Sequence, residues 1–327
     1  WRQTNDPYKI WLSEIILQQT KVQQGLPYFN KFIREFPTVF DLAKSSEDKV
    51  LKLWQGLGYY SRARNLHYTS KFICSKYNGN FPQNYKDILS LKGVGDYTAS
   101  AILSFAFNKR HAVLDGNVIR VLSRVFGVDS YFDTSNGKKQ FKKLADFNLP
   151  KKNSYTYNQA IMEFGALVCT PKKPKCISCT FQEECYAFSN SEVQMFPRKK
   201  NKIQVKKRYL NFLIISIGDS TLLKKKIKGI WSGLYEFPSL EFKEYLSVNK
   251  VVETKQWINF FYKNNFQINN VSSIITHKLS HQKLHVRFFH IKCNKVKTND
   301  YKFFKKDQLL NLPVSKLLEN YLSQSAV

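Results

Sequence analysis

The stretch 91-LKGVGDYTASAILSF-105 places Gly93 and Gly95 on either side of a valine, and an apolar, proline-free helical pattern follows. Glycine lets the backbone approach a phosphate closely, and the free N–H groups of a helix N-terminus attract anions. A Gly-x-Gly sequence alone most often marks only a turn. Here the glycines fall where a short hairpin would join two helices, and 114-LDGNVIRVLSR-124 then opens another helix with an aspartate. The stretch therefore predicts a helix–hairpin–helix element, a pattern typical of DNA-backbone binding.

The composition of the 327-residue chain indicates a folded and strongly basic protein. Hydrophobic residues make up 43% of it, which is typical of a globular protein, and the length suffices for two domains. The formal net charge is +28: residues 1–192 carry 27 basic and 16 acidic side chains, and residues 193–327 carry 25 and 8. We therefore expect a polyanionic partner, with nucleic acid favoured over a membrane surface.

The sequence contains no run of about 18 apolar residues and no signal-peptide pattern. Its cysteines are mostly clustered and do not form a dispersed disulfide framework, so we expect a cytoplasmic protein, nucleoid-associated if bacterial. We also expect a monomer. Because the sequence opens on Trp1 without a methionine, we expect a few residues to precede it.

The hydrophobic pattern divides the chain into a helical part, a basic connector and a part of mixed α and β structure. Helical periodicity predicts helices at 8–24, 27–36, 61–77, 96–107, 116–126 and 155–168. Segments rich in β-branched and aromatic residues predict strands at Tyr209–Ile217, Thr221–Ile227 and Leu284–Cys293. We therefore predict a multidomain protein: an all-α domain at 1–192, a lysine-rich connector at 193–208 and an α+β domain at 209–327.

Four of the six cysteines fall in the stretch 169-CTPKKPKCISCTFQEEC-185, with the spacing C-x6-C-x2-C-x5-C. The four are Cys169, Cys176, Cys179 and Cys185. Thiolates this close together in a reducing compartment indicate metal ligands rather than disulfides. There is only one C-x2-C arm, and the run matches neither common ferredoxin spacing, so the spacing leaves zinc and an iron–sulfur cluster equally open. The lysines between the first two cysteines suit phosphate contact, or simply a solvated loop.

Two carboxylates differ in their predicted surroundings. Glu14 lies in a helical pattern where its neighbours Trp11 and Leu17 are apolar. Burial penalises the charged form of a carboxyl group, and a carboxyl in such a place can act as a general acid near neutral pH. Asp115 precedes a helix, where aspartate is an ordinary N-cap, and we expect it to remain ionised there. Two carboxyl groups in contrasting environments are the arrangement expected for cleaving a glycosidic bond.

Together, these features resemble the endonuclease III superfamily of DNA base-excision glycosylases, and within it the A/G-specific adenine DNA glycosylases. The resemblance covers nearly the whole chain. Its supporting strings are 11-WLSEIILQQT-20, 56-GLGYYSRARNL-66, 93-GVGDYTASAIL-103, 114-LDGNVIRVLSR-124 and 163-EFGALVCTPKKPKC-176. The resemblance implies a six-helix barrel with an iron–sulfur subdomain, in which the four cysteines of 169–185 hold a [4Fe–4S] cluster.

The resemblance also implies a reaction, the hydrolysis of adenine mispaired with 8-oxoguanine or guanine. Glu14 would protonate the adenine ring at N7 and then deprotonate water. Asp115 would stabilise the oxocarbenium sugar, either by its charge or as a transient covalent acetal, with Asn117 positioning it. The bifunctional lyases of the superfamily carry a Schiff-base lysine where this chain has Tyr97, and tyrosine cannot do amine chemistry. Tyr97 would instead hydrogen-bond the carboxylates, and no strand cleavage is expected.

Further residues match family positions that contact DNA. Arg2 and Glu163 would contact the adenine or order its pocket. The target base must be flipped out of the duplex, and Gln19 and Tyr59 match positions that fill the gap. Thr20 is predicted to make a backbone or base-edge contact. From the residues alone, Gln19 would be a helix-surface glutamine and Tyr59 a core tyrosine.

The C-terminal part resembles the Nudix-like domain of these glycosylases, which recognises 8-oxoguanine opposite the adenine. The resemblance is visible around 229-GIWSGLYEFPSLE-241, but the sequence lacks the Glu-rich catalytic box of Nudix hydrolases. The family's Phe-Ser-His probe loop corresponds to Leu279, Ser280 and His281. Leucine lacks the ring that could stack at the lesion, whereas Ser280 and His281 can still make polar contacts.

Three other functions compete with this interpretation. A pyrimidine-lesion glycosylase/lyase of the same fold is disfavoured by Tyr97 and by the C-terminal domain. A catalytically silent DNA-binding protein would be expected to lack a catalytic carboxylate, yet both Glu14 and Asp115 are present. Hydrolysis of free nucleotides by the C-terminal domain is disfavoured by the missing acidic box.

Overall fold

The structure, a computed structural model, describes residues 4–201, 204–261, 266–293 and 300–324. Arg2, predicted to border the adenine pocket, lies outside these residues. The chain forms two compact units, which we call unit 1 (residues 1–44 and 65–202) and unit 2 (residues 45–64 and 203–327). The division at residue 202 falls inside the predicted connector, and the segment 45–64 is grouped with unit 2 rather than with the other helices.

Residues 4–201 form the helical part of the chain. Their helices are α1 (Pro7–Leu17), α2 (Val22–Glu35), α3 (Val39–Lys44), α4 (Glu47–Trp54), α5 (Ser61–Tyr77), α6 (Tyr85–Ser90), α7 (Asp96–Phe107), α8 (Gly116–Phe126), α9 (Ser135–Asn148), α10 (Ser154–Leu167) and α11 (Tyr186–Ser189). Helix α4 and the first residues of α5 belong to unit 2. The predicted bounds of α5, α7 and α8 are confirmed, and those of α10 differ by one residue at each end.

The predicted helix 8–24 is wrong. Helix α1 ends at Leu17 and α2 begins at Val22, because Gln19 adopts a left-handed backbone with φ of 55° and turns the chain. Helix α2 then packs closely against α1 at Gly25, where a Cβ atom would lie 2.7 Å from Leu17 Cδ2. The turn therefore brings a glutamine predicted on a helix surface to the end of α1.

Two groups of buried side chains hold unit 1 together. Trp11 of α1 is fully buried and meets the ring of Phe81 edge-on, with 5.4 Å between the centroids. Val118 and Leu122 of α8 pack with Phe141 of α9 in a second cluster. Burying side chains of this size stabilises a fold by about 1.5–3 kcal/mol each, so α1 and the start of α8 are held firmly.

The first half of the predicted connector is packed on unit 1. Phe196 is buried, and the backbone oxygen of Val193 accepts a hydrogen bond from Arg124 Nε at 3.0 Å. The Asp133 carboxylate accepts the backbone N–H groups of Lys200 and Asn201 at 2.9 and 2.8 Å. These contacts tie the basic segment to the loop that precedes α9.

Unit 2 is built on a mixed sheet. Its strands are β1 (Lys206–Ile217), β2 (Ser220–Lys225), β3 (Tyr235–Glu236), β4 (Ser239–Phe242), β5 (Phe266–Val271), β6 (Ile275–Lys278), β7 (Gln282–Cys293) and β8 (Lys302–Lys305). Its further helices are α12 (Val248–Val252), α13 (Lys255–Phe260), α14 (Lys306–Leu309) and α15 (Lys316–Gln324). The three predicted strands correspond to β1, β2 and β7, and the other strands are short pieces that the sequence pattern did not predict.

The sheet runs in the order β3-β2-β1-β7-β5, with β4 on β1, β6 on β7 and β8 on β2. Strands β1 and β7 are parallel, with Lys206 opposite Gln282 and Ser216 opposite Lys292. Buried Leu213, Phe289 and Trp257 contribute to the core on one face. Among the described residues, none of the helices combines the length and hydrophobicity needed to cross a bilayer.

Candidate active site

Glu14 lies on the buried side of α1. The helix is started by Asp6, whose side chain accepts the N–H groups of Tyr8 and Lys9. Glu14 itself is 6% exposed, and its Oε2 accepts a hydrogen bond of 2.7 Å from the Tyr97 hydroxyl. Tyr97 stands in the first turn of α7. Tyr97, which stands directly after the hairpin, is thus hydrogen-bonded to the carboxyl group that was predicted to act as a general acid.

The hairpin between α6 and α7 requires its first glycine. Gly93 has φ of +85°, and a Cβ atom there would lie 2.9 Å from Asn65 Cβ. The Thr69 hydroxyl donates to the backbone oxygen of Lys92 at 2.9 Å and fixes the hairpin against α5. Gly95 is the N-cap residue of α7 and brings no side chain to the helix N-terminus, so N–H groups there can face an anion.

Asp115 is the N-cap of α8 and binds two donors. Its Oδ1 accepts the backbone N–H of Val118 at 2.7 Å, and its Oδ2 accepts the side-chain amide of Asn117 at 2.7 Å. Burial raises the pKa of Asp115, while these hydrogen bonds and Arg120 act in the lowering direction. Desolvation therefore outweighs the helix N-terminus in its effect on the pKa of Asp115, and the prediction that this carboxyl remains ionised at neutral pH stays a prediction.

A buried arginine continues from Asn117 toward the cysteines. Arg120 is 8% exposed, and its Nη2 donates to Asn117 Oδ1 at 2.9 Å and to the backbone oxygen of Gly165 at 2.6 Å. Its Nε donates to the backbone oxygen of Cys169 at 2.7 Å. Because Arg120 donates hydrogen bonds to α8, α10 and the cysteine loop, it fixes the orientation of Asn117 and hence that of Asp115.

Both carboxylates line one cleft of unit 1, with a volume of about 1240 Å³. Its walls come from α1, α7 and α8 and from α9. Residues that line it include Glu14, Gln18, Gln19, Gly95, Asp96, Tyr97, Thr98, Asp115, Phe132, Lys138, Lys139, Lys142 and Lys143. The two carboxylates predicted to divide the acid and stabilising roles are therefore brought to the same cavity.

The four cysteines surround a second, small cavity in unit 1 together with apolar residues such as Phe164 and Val168. Arg124 Nη1 lies 3.3 Å from Cys169 Sγ, in a hydrogen bond that suits a thiolate. Within the described residues, no group of three or more His, Cys, Asp or Glu side chains is arranged to hold a single metal ion. Four cysteine thiols around one cavity are a donor set that suits either a zinc ion or an iron–sulfur cluster, so the residues present fit both groups.

Other predicted DNA-contacting residues of unit 1 are placed differently. Gln19 is exposed in the turn after α1 and lines the cleft, while neighbouring Gln18 donates to the Thr98 hydroxyl at 3.3 Å. Thr20 is half-buried and donates to the backbone oxygen of Gln18. Glu163 is exposed on α10 and is not part of the cleft formed by the described residues.

In unit 2, two of the predicted recognition residues meet. Tyr59 has a left-handed backbone with φ of 48°, is 41% exposed, and its hydroxyl is hydrogen-bonded to the Ser280 hydroxyl. The prediction from the residues alone, a core tyrosine, is thus wrong. Leu279, Ser280 and His281 form the tip between β6 and β7, and both Ser280 and His281 are exposed.

The sequence reasoning assigned no role to Arg120 or Arg124. Both lie on α8 among buried residues such as Val121 and Leu122. The signal was present, because two arginines four residues apart on the apolar face of an amphipathic helix indicate buried and therefore paired guanidinium groups.

Two family matches cover separate parts of the chain. Residues 12–146 match the HhH-GPD superfamily of base excision DNA repair proteins. Residues 211–324 match the NUDIX domain. The first match contains the hairpin and both carboxylates, and the second contains most of the sheet of unit 2.

Similar proteins are found among curated sequences and solved structures. The adenine DNA glycosylase of Buchnera aphidicola subsp. Baizongia pistaciae (strain Bp) is 38% identical over 90% of this chain and 82% of its own length. That of subsp. Schizaphis graminum (strain Sg) is 35% identical over 98% of this chain and 92% of its own. A thermostable thymine-DNA glycosylase superposes with a TM-score of 0.54 at 33% identity, covering 58% of this chain and 88% of that one.

Proposed function

The chain belongs to the adenine DNA glycosylase family, whose members hydrolyse N-glycosyl bonds in DNA, and we propose that its substrate is adenine opposite 8-oxoguanine or guanine. The observation that carries the proposal is the pair of carboxylates in one cleft, with Tyr97 bonded to Glu14. A duplex base must be extruded to reach such a cleft. Its volume of about 1240 Å³ accommodates a nucleotide.

In the proposed reaction, the Glu14 carboxyl gives its proton to N7 of the adenine, so the base leaves as a neutral molecule. The bond between C1′ and the base nitrogen breaks with its electron pair on the base, which leaves an oxocarbenium sugar. Ionised Asp115 stabilises this cation, as a charge partner or as a transient covalent acetal. Glu14, now ionised, then takes a proton from the water that attacks C1′.

The neighbouring residues hold these groups in position. The Tyr97 hydroxyl donates to Glu14 Oε2 and restricts the rotation of the carboxyl group. Asn117 donates to Asp115 Oδ2 and leaves the carboxylate facing the cleft. Because a phenol hydroxyl is not an amine, Tyr97 cannot form the Schiff base that a lyase needs. We therefore expect base removal without strand cleavage.

We propose that Cys169, Cys176, Cys179 and Cys185 hold a [4Fe–4S] cluster, whose role is to bind and shape the loop 169–185. The fit of four thiols around one cavity supports this assignment. Arg124 donates to Cys169 Sγ and to the backbone oxygens of Thr170 and Pro171, so it would tie the cluster loop to α8.

We propose that unit 2 recognises the base opposite the adenine. The supporting features are the exposed Ser280 and His281 at the β6–β7 tip and the bond from Ser280 to Tyr59. Leu279 is half-buried, and its N–H donates to the backbone oxygen of Gln282. It therefore closes the turn, and polar contact with the lesion falls to its two neighbours.

The decisive experiment is a single-turnover assay on duplexes that contain A:8-oxoguanine, A:guanine or thymine glycol. We expect adenine release from the first two, with strand breaks only after alkali. Prompt nicking without alkali, or preference for thymine glycol, would contradict the proposal and favour a pyrimidine-lesion lyase. Purified protein should be yellow-brown, and Cys176→Ser should lose that absorbance together with iron, which checks the cluster separately.

A further inference from the structure

Helix α9 places four lysines in the wall of the catalytic cleft. Lys138, Lys139 and Lys143 are exposed. Lys142 is half-buried, and its Nζ donates to Asp146 Oδ1 at 3.0 Å and to the backbone oxygen of Ala112 at 3.1 Å. The opposite side of the helix packs through buried Phe141 and Ala145. The helix is thus amphipathic, with its charged side turned to the cavity where the carboxylates lie.

The acidic side chains that line the cleft together with these lysines already accept hydrogen bonds. Asp96 accepts the Tyr85 hydroxyl at 2.6 Å, and Asp146 accepts Lys142. Asp133 accepts the two backbone N–H groups of the anchored connector. The exposed lysines are therefore left to attract a mobile anion.

A lysine-rich helix face is often only a solvated surface, but this one also carries an exposed aromatic side chain. Phe147 of the same helix is 84% exposed. Phe147 follows Lys143 by four residues and Lys139 by eight, which is one and two helical turns. The three side chains therefore lie along one side of the helix. Lysines interleaved with an exposed aromatic ring are the pattern by which proteins track an unpaired strand, with phosphates on the cations and a base on the ring.

We propose that this α9 face, defined as Lys138, Lys139, Lys143 and Phe147, binds the DNA strand that carries the extruded adenine. The inference rests on the proposed function, because extrusion into the cleft is what brings that strand past α9. The lysines contact phosphates next to the extruded nucleotide, and Phe147 contacts a base or sugar farther along. The face is a positioning surface and takes no part in bond cleavage.

The test measures binding, by fluorescence anisotropy of full-length protein, to two duplexes of the same sequence. One contains an uncleavable tetrahydrofuran abasic analogue opposite 8-oxoguanine, and the other is undamaged. For the Lys138→Gln/Lys139→Gln/Lys143→Gln variant on the analogue duplex, we expect the salt slope of log Kd to fall by about 2–2.7. Raising the salt from about 50 to 200 mM should therefore weaken binding by the triple variant about 15- to 40-fold less than it weakens binding by the parent protein.

The undamaged duplex separates this surface from general electrostatic attraction. We expect its Kd to change less than about threefold in the triple variant, because its strand does not enter the cleft. Phe147→Ser should weaken binding to the analogue duplex about fivefold to tenfold without changing the salt slope, since no charge is removed. Circular dichroism and thermal melting establish that both variants are folded.

The matched control is Lys31→Gln/Lys250→Gln/Lys255→Gln, which removes the same charge from exposed positions of α2, α12 and α13. The proposal would be overturned if the control changed the salt slope as much as the α9 triple variant does. It would also be overturned if the α9 variant lost equal affinity for both duplexes, because the effect would then come from net charge alone. An α9 triple variant whose salt slope of log Kd equals that of the parent protein would overturn the proposal as well. Adenine release by the parent protein is scored separately, so a failure of the proposed function is distinguishable from a failure of this surface.

Discussion

The cleft of unit 1 and the β6–β7 tip of unit 2 carry different parts of the proposed function and are built in opposite ways. Glu14 is 6% exposed and bonded to Tyr97, and Asp115 is bonded to Asn117 and to the start of α8. Ser280 and His281 are exposed at the end of a hairpin. Groups that act on a transition state must be oriented beforehand, whereas groups that read a lesion can be ordered by it. Changes in the cleft should therefore affect rate, and changes at the tip should affect preference.

The largest effect is expected for Glu14→Gln. Glutamine fills the same space but cannot donate or accept the catalytic proton, so the single-turnover rate of adenine release should fall about 10²- to 10⁴-fold. Tyr97→Phe, which removes only the hydrogen bond to the carboxyl group, should cost about tenfold. The measurement is adenine release from an A:8-oxoguanine duplex at saturating protein. Near-parental release by Glu14→Gln would remove the acid/base assignment.

A steric change beside Asn117 should have the next largest effect. A Cβ atom on Gly165 would lie 2.8 Å from Asn117 Cβ and 2.9 Å from its backbone oxygen. We expect Gly165→Ala to destabilise the fold by about 1–3 kcal/mol and to slow adenine release about tenfold or more, because Asn117 must shift. Thermal melting and the same kinetic assay measure the two effects.

Gly116→Ala is the matched control for that change. A Cβ atom on Gly116 meets no described atom within 4 Å, and the residue begins α8 without a positive φ. Alanine there should leave the stability unchanged or raise it by about 0.4–1 kcal/mol. If the two variants melt at the same temperature, the close packing of α10 on Asn117 is not what orients Asp115.

The pH dependence of adenine release should show that burial raises the pKa of Asp115 more than its hydrogen bonds lower it. Burial raises the pKa of this carboxyl above the ordinary 3.8, so its ionised fraction falls at a higher pH than that of an exposed aspartate. The acid limb of adenine release should therefore have a midpoint above 3.8. Asn117→Ala removes an amide that lowers the pKa, so the midpoint should move to higher pH. Asn190→Ala, which removes an exposed amide at the C-cap of α11, should leave the midpoint in place. An unmoved midpoint in Asn117→Ala would contradict this account.

The smallest effect is expected at the tip of unit 2. Ser280→Ala removes the hydroxyl that bonds Tyr59 and is proposed to contact the lesion. One polar contact contributes about 0.5–1.5 kcal/mol, so the ratio of rates on A:8-oxoguanine and A:guanine should fall about two- to tenfold. Leu279→Ala tests the neighbouring position, where we expect a smaller change in that ratio. If Ser280→Ala slowed adenine release equally on both duplexes, the tip would affect rate rather than preference, and the proposed difference between the two regions would be wrong.

Local patterns made much of the cleft predictable. The apolar neighbours of Glu14 and the hairpin glycines both act over a few residues, and the bounds of α7 and α8 were predicted correctly. The turn at Gln19 was not predictable, because glutamine has no signature for a left-handed backbone. The short strands β3 to β6 and β8 were missed for a different reason. They are held by pairing with β1, β2 and β7, which is a non-local contact.

The position of Asp115 as the N-cap of α8 has a consequence for which variants of the chain survive. Asparagine caps a helix as well as aspartate does, and it removes a charge that burial makes unfavourable above the raised pKa. Asp115→Asn keeps the cap on Val118 and loses the hydrogen bond from Asn117, a loss that removal of the buried charge offsets, so the variant should still fold at neutral pH. Such a variant would escape cellular proteolysis, which removes unstable chains, and would still occupy mispairs. Screening by abundance or melting temperature would record a healthy protein, although the lesion beneath it would be shielded rather than repaired.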